Sequence, residues 1–191
     1  MRVSKQVMAE NNSKIISAAA RLFREKGIDD TSVAEVMGAA GLTHGGFYRH
    51  FKTKDDLVIA AIDKACKDLE RRLEKAIAQQ GAQQAIKEFV LRYLSEQHVI
   101  SPGTGCPIAA LSSEIDRKSK ALQKAISHGT ERLVSLLEQG VNASPSEKHS
   151  KAIGLLAVLV GALILARSAE TGKTRDDILA AGRCLTTLYL N

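Results

Sequence analysis

The sequence predicts an all-α protein, and three observations lead there. Apolar residues recur at three- and four-residue spacing along most of the chain. No run alternates as a half-buried strand would. The composition is rich in Ala, Leu, Lys and Glu, with three prolines and no Trp, which favours helix over sheet. The expected architecture is about nine helices, arranged as a three-helix N-terminal domain over residues 1–53 and a second helical domain over residues 54–191.

The first helix is expected over residues 13–26, where Ile15, Ile16, Ala19, Leu22 and Phe23 share a face and Gly27 supplies a stop. Ser32 followed by Glu35 forms a capping box that opens a second, short helix. It ends at Gly41, which can take the left-handed backbone of a tight turn. A third short helix fits residues 43–50 with Thr43 at its cap, and Thr53 caps a fourth over Lys54–Gln80. One helix is then expected over residues 82–99, followed by the loop ISPGTGCP and a short helix over 107–113. Longer helices follow over 116–139 and 146–170, the latter with Pro145 in its first turn, and the last covers 175–190.

Charge is uneven. Residues 1–54 hold nine Lys and Arg against five Asp and Glu, whereas the remaining eighteen and sixteen nearly cancel. A basic N-terminal part on a near-neutral body suggests a local anionic partner, with nucleic acid the first candidate. Cys66, Cys106 and Cys184 are far apart and make neither a metal pair nor a disulfide framework, which fits a reducing compartment. The opening residues carry no apolar core of a secretory signal, so the expected location is the cytoplasm. The run from Ala152 to Ala166 is fifteen residues, short of the roughly 20 a spanning helix needs, and reads as a buried helix rather than a membrane segment. No metal or cofactor is expected.

Between Leu42 and Lys54 stand two glycines, two histidines, three aromatic residues and three cations, with no acid. Two short helices joined at Ala40, Gly41 and Leu42 match a helix-turn-helix, with Val33, Ala34, Val36, Met37, Ala40 and Leu42 as its small core. The second helix would then carry Thr43, His44, Gly45, Gly46, Tyr48 and Arg49 outward, its N-terminal end meeting base edges in the major groove. A glycine inside a helix costs up to about 1 kcal/mol against Ala, so two in succession suggest close approach of backbone to DNA. Phe47 and Phe51 are expected in the core, since an exposed Phe gains little.

These residues resemble a known family. Ser32-Val-Ala-Glu-Val-Met, Ala40-Gly-Leu-Thr, Phe47-Tyr-Arg-His-Phe and Lys52-Thr-Lys-Asp-Asp-Leu57 are similar to the DNA-binding domain of the TetR/AcrR family of bacterial transcriptional regulators. The close match covers about residues 15 to 62. The resemblance implies that Thr43, His44 and Gly46 line the groove, that Tyr48 and His50 face phosphates, and that Lys54 is a phosphate clamp. Thr31 and Ser32 would add a second phosphate contact, and Arg49 and Lys52 non-specific attraction. His44 stands where the family commonly has Lys, and Gly46 where Ser or Thr is frequent. The operator therefore does not carry over from relatives.

A single helix-turn-helix reads one half-site, so a homodimer is expected. Gly154, Gly161 and Ser168 recur seven apart and form a seam of small residues, with Leu155, Val158 and Leu165 beside it and Leu185 and Leu188 on the last helix. The resemblance implies that these terminal helices pair between subunits and that the middle helices enclose a small-molecule effector. Phe89, Tyr93, His98, Ile108, Leu111 and Leu133 are candidate lining residues, each of a type that an ordinary core also takes. Cys106 precedes Pro107 near a helix start, where partial positive charge raises a thiol's reactivity, so a thiol- or electrophile-responsive switch is the alternative. A cysteine-dependent enzyme would need a His as base beside Cys106, and nothing in the sequence fixes one there. The expected function is a cytoplasmic, effector-released repressor that binds a palindromic double-stranded operator, with no catalytic residue.

Overall fold

Helices carry most of the chain in a computed structural model that describes residues 5–190. Among the described residues there are nine α-helices: α1 Lys5–Lys26, α2 Val33–Ala39, α3 Lys54–Gln80, α4 Ala82–Tyr93, α5 Glu96–Ile100, α6 Pro107–Ile115, α7 Lys120–Glu138, α8 Lys148–Ser168 and α9 Lys173–Leu190. Two 3₁₀ segments, His44–Arg49 and Pro102–Thr104, complete the set, and no strand occurs among the described residues.

Several boundaries differ from those the sequence predicts. α1 begins at Lys5, not residue 13, because nothing between Gln6 and Asn12 breaks it and Gln6 bridges to Glu10 one turn on at 3.1 Å. The single helix expected over 82–99 is two. Leu94 leaves the helical region at φ −97° and ψ 52°, and Ser95 restarts it. The Ser95 hydroxyl donates to the Arg92 carbonyl at 2.7 Å and accepts the His98 amide at 3.3 Å, the competition with backbone bonds that makes serine a helix interrupter. Pro145 lies in the turn ahead of α8 rather than in its first turn.

The chain divides into two compact units. The first holds the residues up to Ala65 together with Gly103–Ser127, and the second Cys66–Pro102 with the residues from His128 onward. The division expected at residue 53 therefore does not coincide with the packing: the start of α3, and α6 with the start of α7, belong with the N-terminal helices. The outermost residues of the expected spans, 1–4 and 191, lie outside the described residues. In the first unit α1 packs on α2 and α6, burying Ile15, Ala19, Leu22, Phe23, Val36, Met37, Leu111 and Ile115.

In the second unit α8 lies along α9, and both touch α4. Leu155, Leu159 and Leu163 of α8 are fully buried. The 21-residue helix exceeds the fifteen-residue run seen in the sequence, and by length and composition it is long enough to cross a membrane. Its buried face is packed within this unit. Close approaches use glycine: a Cβ on Gly182 would stand 2.8 Å from that of Ala162, and one on Gly129 would collide with the Cys66 thiol.

Gly129→Ala is expected to lose about 1–3 kcal/mol of stability through that collision, although Ala is the better helix former. In a urea-unfolding double-mutant cycle, Cys66→Ala should recover much of the loss, because the sulfur it removes is the obstacle.

Candidate nucleic-acid interface

The turn after α2 is built by glycine and two backbone bonds. Gly41 sits at φ +72°, the Leu42 amide donates to the Met37 carbonyl at 2.9 Å, and the Gly41 amide donates to that of Gly38 at 3.0 Å. This Schellman arrangement pairs the last carbonyls of α2 and reverses the chain within a few residues. Leu42 and Thr43 then lead into the next segment, which is 3₁₀ over His44–Arg49 and not the α-helix expected over 43–50. Thr43 has the extended backbone of a cap, but its hydroxyl makes no capping bond. Two adjacent glycines give this segment little helix propensity of its own.

What holds it is Phe47. The ring is 1% exposed, stacks on Phe51 at 5.8 Å and meets the edge of Tyr48 at 5.3 Å. With Phe47 turned inward, Thr43, His44, Gly45, Tyr48 and Arg49 are exposed, Tyr48 to 73%. Phe47 and Phe51 lie in the core as the sequence predicts. The glycines have different surroundings. A Cβ at Gly45 would meet nothing within 4 Å, whereas one at Gly46 would lie 3.6 Å from the Met37 methyl. Gly45 is thus open outward, and Gly46 is half-buried against the core.

The flanking helix starts are fixed by capping. Ser32 Oγ accepts the Glu35 amide at 3.1 Å. The Glu35 carboxyl is held below its ordinary pKa by the Lys26 ammonium first and, to a smaller extent, by the Ser32 amide, so the predicted capping box is present with a cation added. At α3, Thr53 Oγ1 accepts the Asp56 amide at 3.1 Å while Asp56 Oδ2 accepts that of Thr53 at 3.0 Å. Lys54 and His50 are half-buried beside this start, and Lys52 is exposed. Thr31 departs from expectation. It is fully buried, and its hydroxyl donates to the Gly27 carbonyl at 2.7 Å, so it closes the α1–α2 turn and is withdrawn from the surface assigned to it.

Residues 15–61 match the family model described as bacterial regulatory proteins, tetR family. Over these residues the chain is similar to the tetR family. Over 56 residues it is 45% identical to the HTH-type transcriptional regulator AcrR of Shigella flexneri, covering 29% of this chain and 26% of that protein. It thus spans about a quarter of that relative's length. Likeness to the HTH-type transcriptional regulator LmrA of Bacillus subtilis is thinner and longer: 23% identity over 190 residues, 94% of this chain and 96% of that one. The crystal structure of a TetR transcriptional regulator from Legionella pneumophila superposes with a TM-score of 0.80, covering 100% of both chains at 18% identity. That last likeness is one of fold.

Beyond the tetR-family match, the expected effector residues separate. Phe89, Tyr93, His98 and Leu133 belong to the second unit, and Cys106, Ile108 and Leu111 to the first. Phe89 and Tyr93 have ring centres 5.5 Å apart, Tyr93 and His98 4.7 Å, and His98 Nδ1 lies 2.8 Å from the Tyr93 carbonyl oxygen. The sequence grouped these residues without the break at Ser95 that turns His98 back onto Tyr93. Cys106 caps α6 with extended backbone, as its place before Pro107 suggests, but the residue is fully buried.

The expected dimer seam also changes. A Cβ on Gly154 would stand 2.9 Å from the Tyr189 ring, and Leu155 is fully buried, so both serve packing inside the unit. Val158 is half-buried. Gly161 faces open space, and Leu165, Ser168, Leu185 and Leu188 are exposed, Leu188 to 71%. Ile153 and Ile164, outside the predicted seam, are exposed with them on α8. Their spacing from Leu165 is visible in the sequence, but α8 is apolar all round and spacing alone does not say which side α9 covers.

Thr31→Val is expected to lose about 1 kcal/mol in urea unfolding, since it leaves the Gly27 carbonyl unpaired at unchanged shape. Because the Glu35 pKa is lowered on folding, chiefly by the Lys26 ammonium, its stabilising effect is full above the ordinary carboxylate range and is lost as pH falls through the lower folded value. Lys26→Met should make the acid limb of stability against pH shallower.

Proposed function

We propose that the chain is a DNA-binding transcriptional regulator that grips a palindromic operator as a homodimer and represses until a small-molecule effector releases it. The observation that carries this reading is the exposed surface of Thr43, His44, Gly45, Tyr48 and Arg49, turned outward by the buried Phe47 and flanked by Lys52 and Lys54. In such a surface Thr43, His44 and the bare backbone at Gly45 approach base edges. Tyr48, Arg49, His50 and Lys54, with the exposed Ser32 at the start of α2, meet phosphate oxygens. The functional reader ends near residue 53, and the chain acts where chromosomal DNA lies, in the bacterial cytoplasm.

Two-fold operators require two readers. Ile153, Ile164, Leu165, Leu185 and Leu188 give α8 and α9 an exposed apolar face, and the open space at Gly161 admits a helix from a second copy. The aromatic group of Phe89, Tyr93 and His98 supports an effector site in the second unit. A ligand there weakens DNA binding to the extent that it prefers the conformation with mis-spaced readers. The burial of Cys106 removes support for direct attack on its thiol by an electrophile.

Selection of bound fragments from a genomic library, then anisotropy across a salt series, tests the proposal. A palindromic site with a steep salt dependence is expected, and no enrichment even at low salt would refute it. Lys54→Ala should reduce the salt slope by about one, and Gly45→Leu should weaken operator binding about tenfold or more while unfolding normally. Leu188→Glu should give a monomer in sedimentation and lose the operator with it.

A further inference from the structure

We propose that Glu114, on α6 and far outside the helix-turn-helix, is a positioning residue for the DNA-reading surface; this rests on the DNA-binding reading above. The α1–α2 turn sets where α2 and the recognition segment point. It begins at Gly27, whose φ of +92° ends α1. The following amide, that of Ile28, has a buried side chain beside it and donates to Glu114 Oε2 at 2.8 Å, from 86 residues away. The other carboxylate oxygen lies 2.7 Å from the place a Gly27 Cβ would occupy. The carboxylate therefore lies flush on the turn, and both the φ and the space restrict residue 27 to glycine.

Neighbouring contacts brace the same region of the first unit. Arg24, on the last turn of α1, donates to the Ala20 carbonyl and to the Gly105 carbonyl just ahead of α6, each at 2.7 Å. The Glu25 side chain packs against buried Gly103, Lys118 pairs with Asp29, and Ser119 Oγ donates to Asp55 at the start of α3 at 3.1 Å. The Asp29 and Asp55 contacts are exposed and count for little. Arg24 ties the end of α1 to the stretch ahead of α6. Glu114 is the side chain of this segment that meets the turn's own backbone. Opposite it, the Thr31 hydroxyl closes the turn from within, one residue before Ser32 caps α2. Losing the Glu114 carboxylate frees an amide that has no other acceptor in this turn and opens space beside Gly27, so α2 and the segment it carries can tilt.

Base readout demands orientation, whereas phosphate attraction tolerates small tilts. Specific binding should therefore suffer first. In the full-length chain, Glu114→Ala is expected to weaken the selected operator about tenfold, with affinity for random duplex of equal length, and the salt slope on it, unchanged. Glu114→Asp keeps the charge but falls one methylene short, and should match the Ala variant. Glu114→Gln keeps an acceptor oxygen at full reach and should stay within about threefold of wild type. Hydrogen exchange at the Ile28 amide gives a readout without DNA: fast in the Ala and Asp variants, slow in wild type and Gln.

Ala and Asp variants that hold the operator as wild type does would overturn the inference. So would equal losses on operator and random duplex, or a Gln variant as weak as Ala. A wild-type chain that binds no duplex at all would instead overturn the DNA-binding reading, and this inference with it. If the Ala variant fails to fold, the Asp and Gln pair still decides the matter.

Discussion

Burial of the Phe47 ring is the contact on which the outward surface depends. The segment around it is a short 3₁₀ stretch with two glycines, and a helix of that length and composition does not stand by itself in water. One aromatic side chain, stacked on Phe51 and edged by Tyr48, fixes both the position and the rotation of the stretch. Rotation matters most. With Phe47 inward, periodicity places Tyr48, Arg49, His44 and Gly45 outward together, so the core contact decides which residues a partner meets.

The rest of the first unit makes that anchor precise by holding short elements at their ends. α2 is seven residues long, and its two ends are tied by Ser32 on one side and the Gly41 turn on the other. α3 opens with a reciprocal Thr53–Asp56 pair. Capping contributes about 1 kcal/mol per site, a modest amount for a long helix but a large share of what a two-turn helix has. The helix-turn-helix is thus specified at its junctions more than along its lengths.

The second unit solves a different problem. α8 is apolar on every side, yet α9, α4 and α5 cover only part of it, leaving Ile153, Ile164 and Leu165 in contact with solvent beside Leu185 and Leu188 of α9. Exposed aliphatic side chains clustered on adjacent helices are costly to hydrate, and this is the physical ground on which a second copy is proposed. Glycines at 154 and 182 let helices of one chain approach each other, whereas Gly161 stands against empty space. The same residue type, in the same pair of helices, serves the inside of the unit at two positions and the outside at a third.

The sequence by itself determined the helical class, the two capped starts at Ser32 and Thr53, the turn at Gly41, the inward Phe47 and Phe51, and the basic surface between them. All of these are local: a cap, a turn or a periodic face is encoded within a few residues and needs no distant partner. Only the tertiary structure decided that Thr31 is buried, that Gly154 and Leu155 face Tyr189 and the core, and that the helix is interrupted at Leu94 and Ser95. Only it brought Glu114 onto the Ile28 amide. Each of those depends on which side of a helix a neighbour covers, or on contacts between residues tens of positions apart, and neither is written in local spacing.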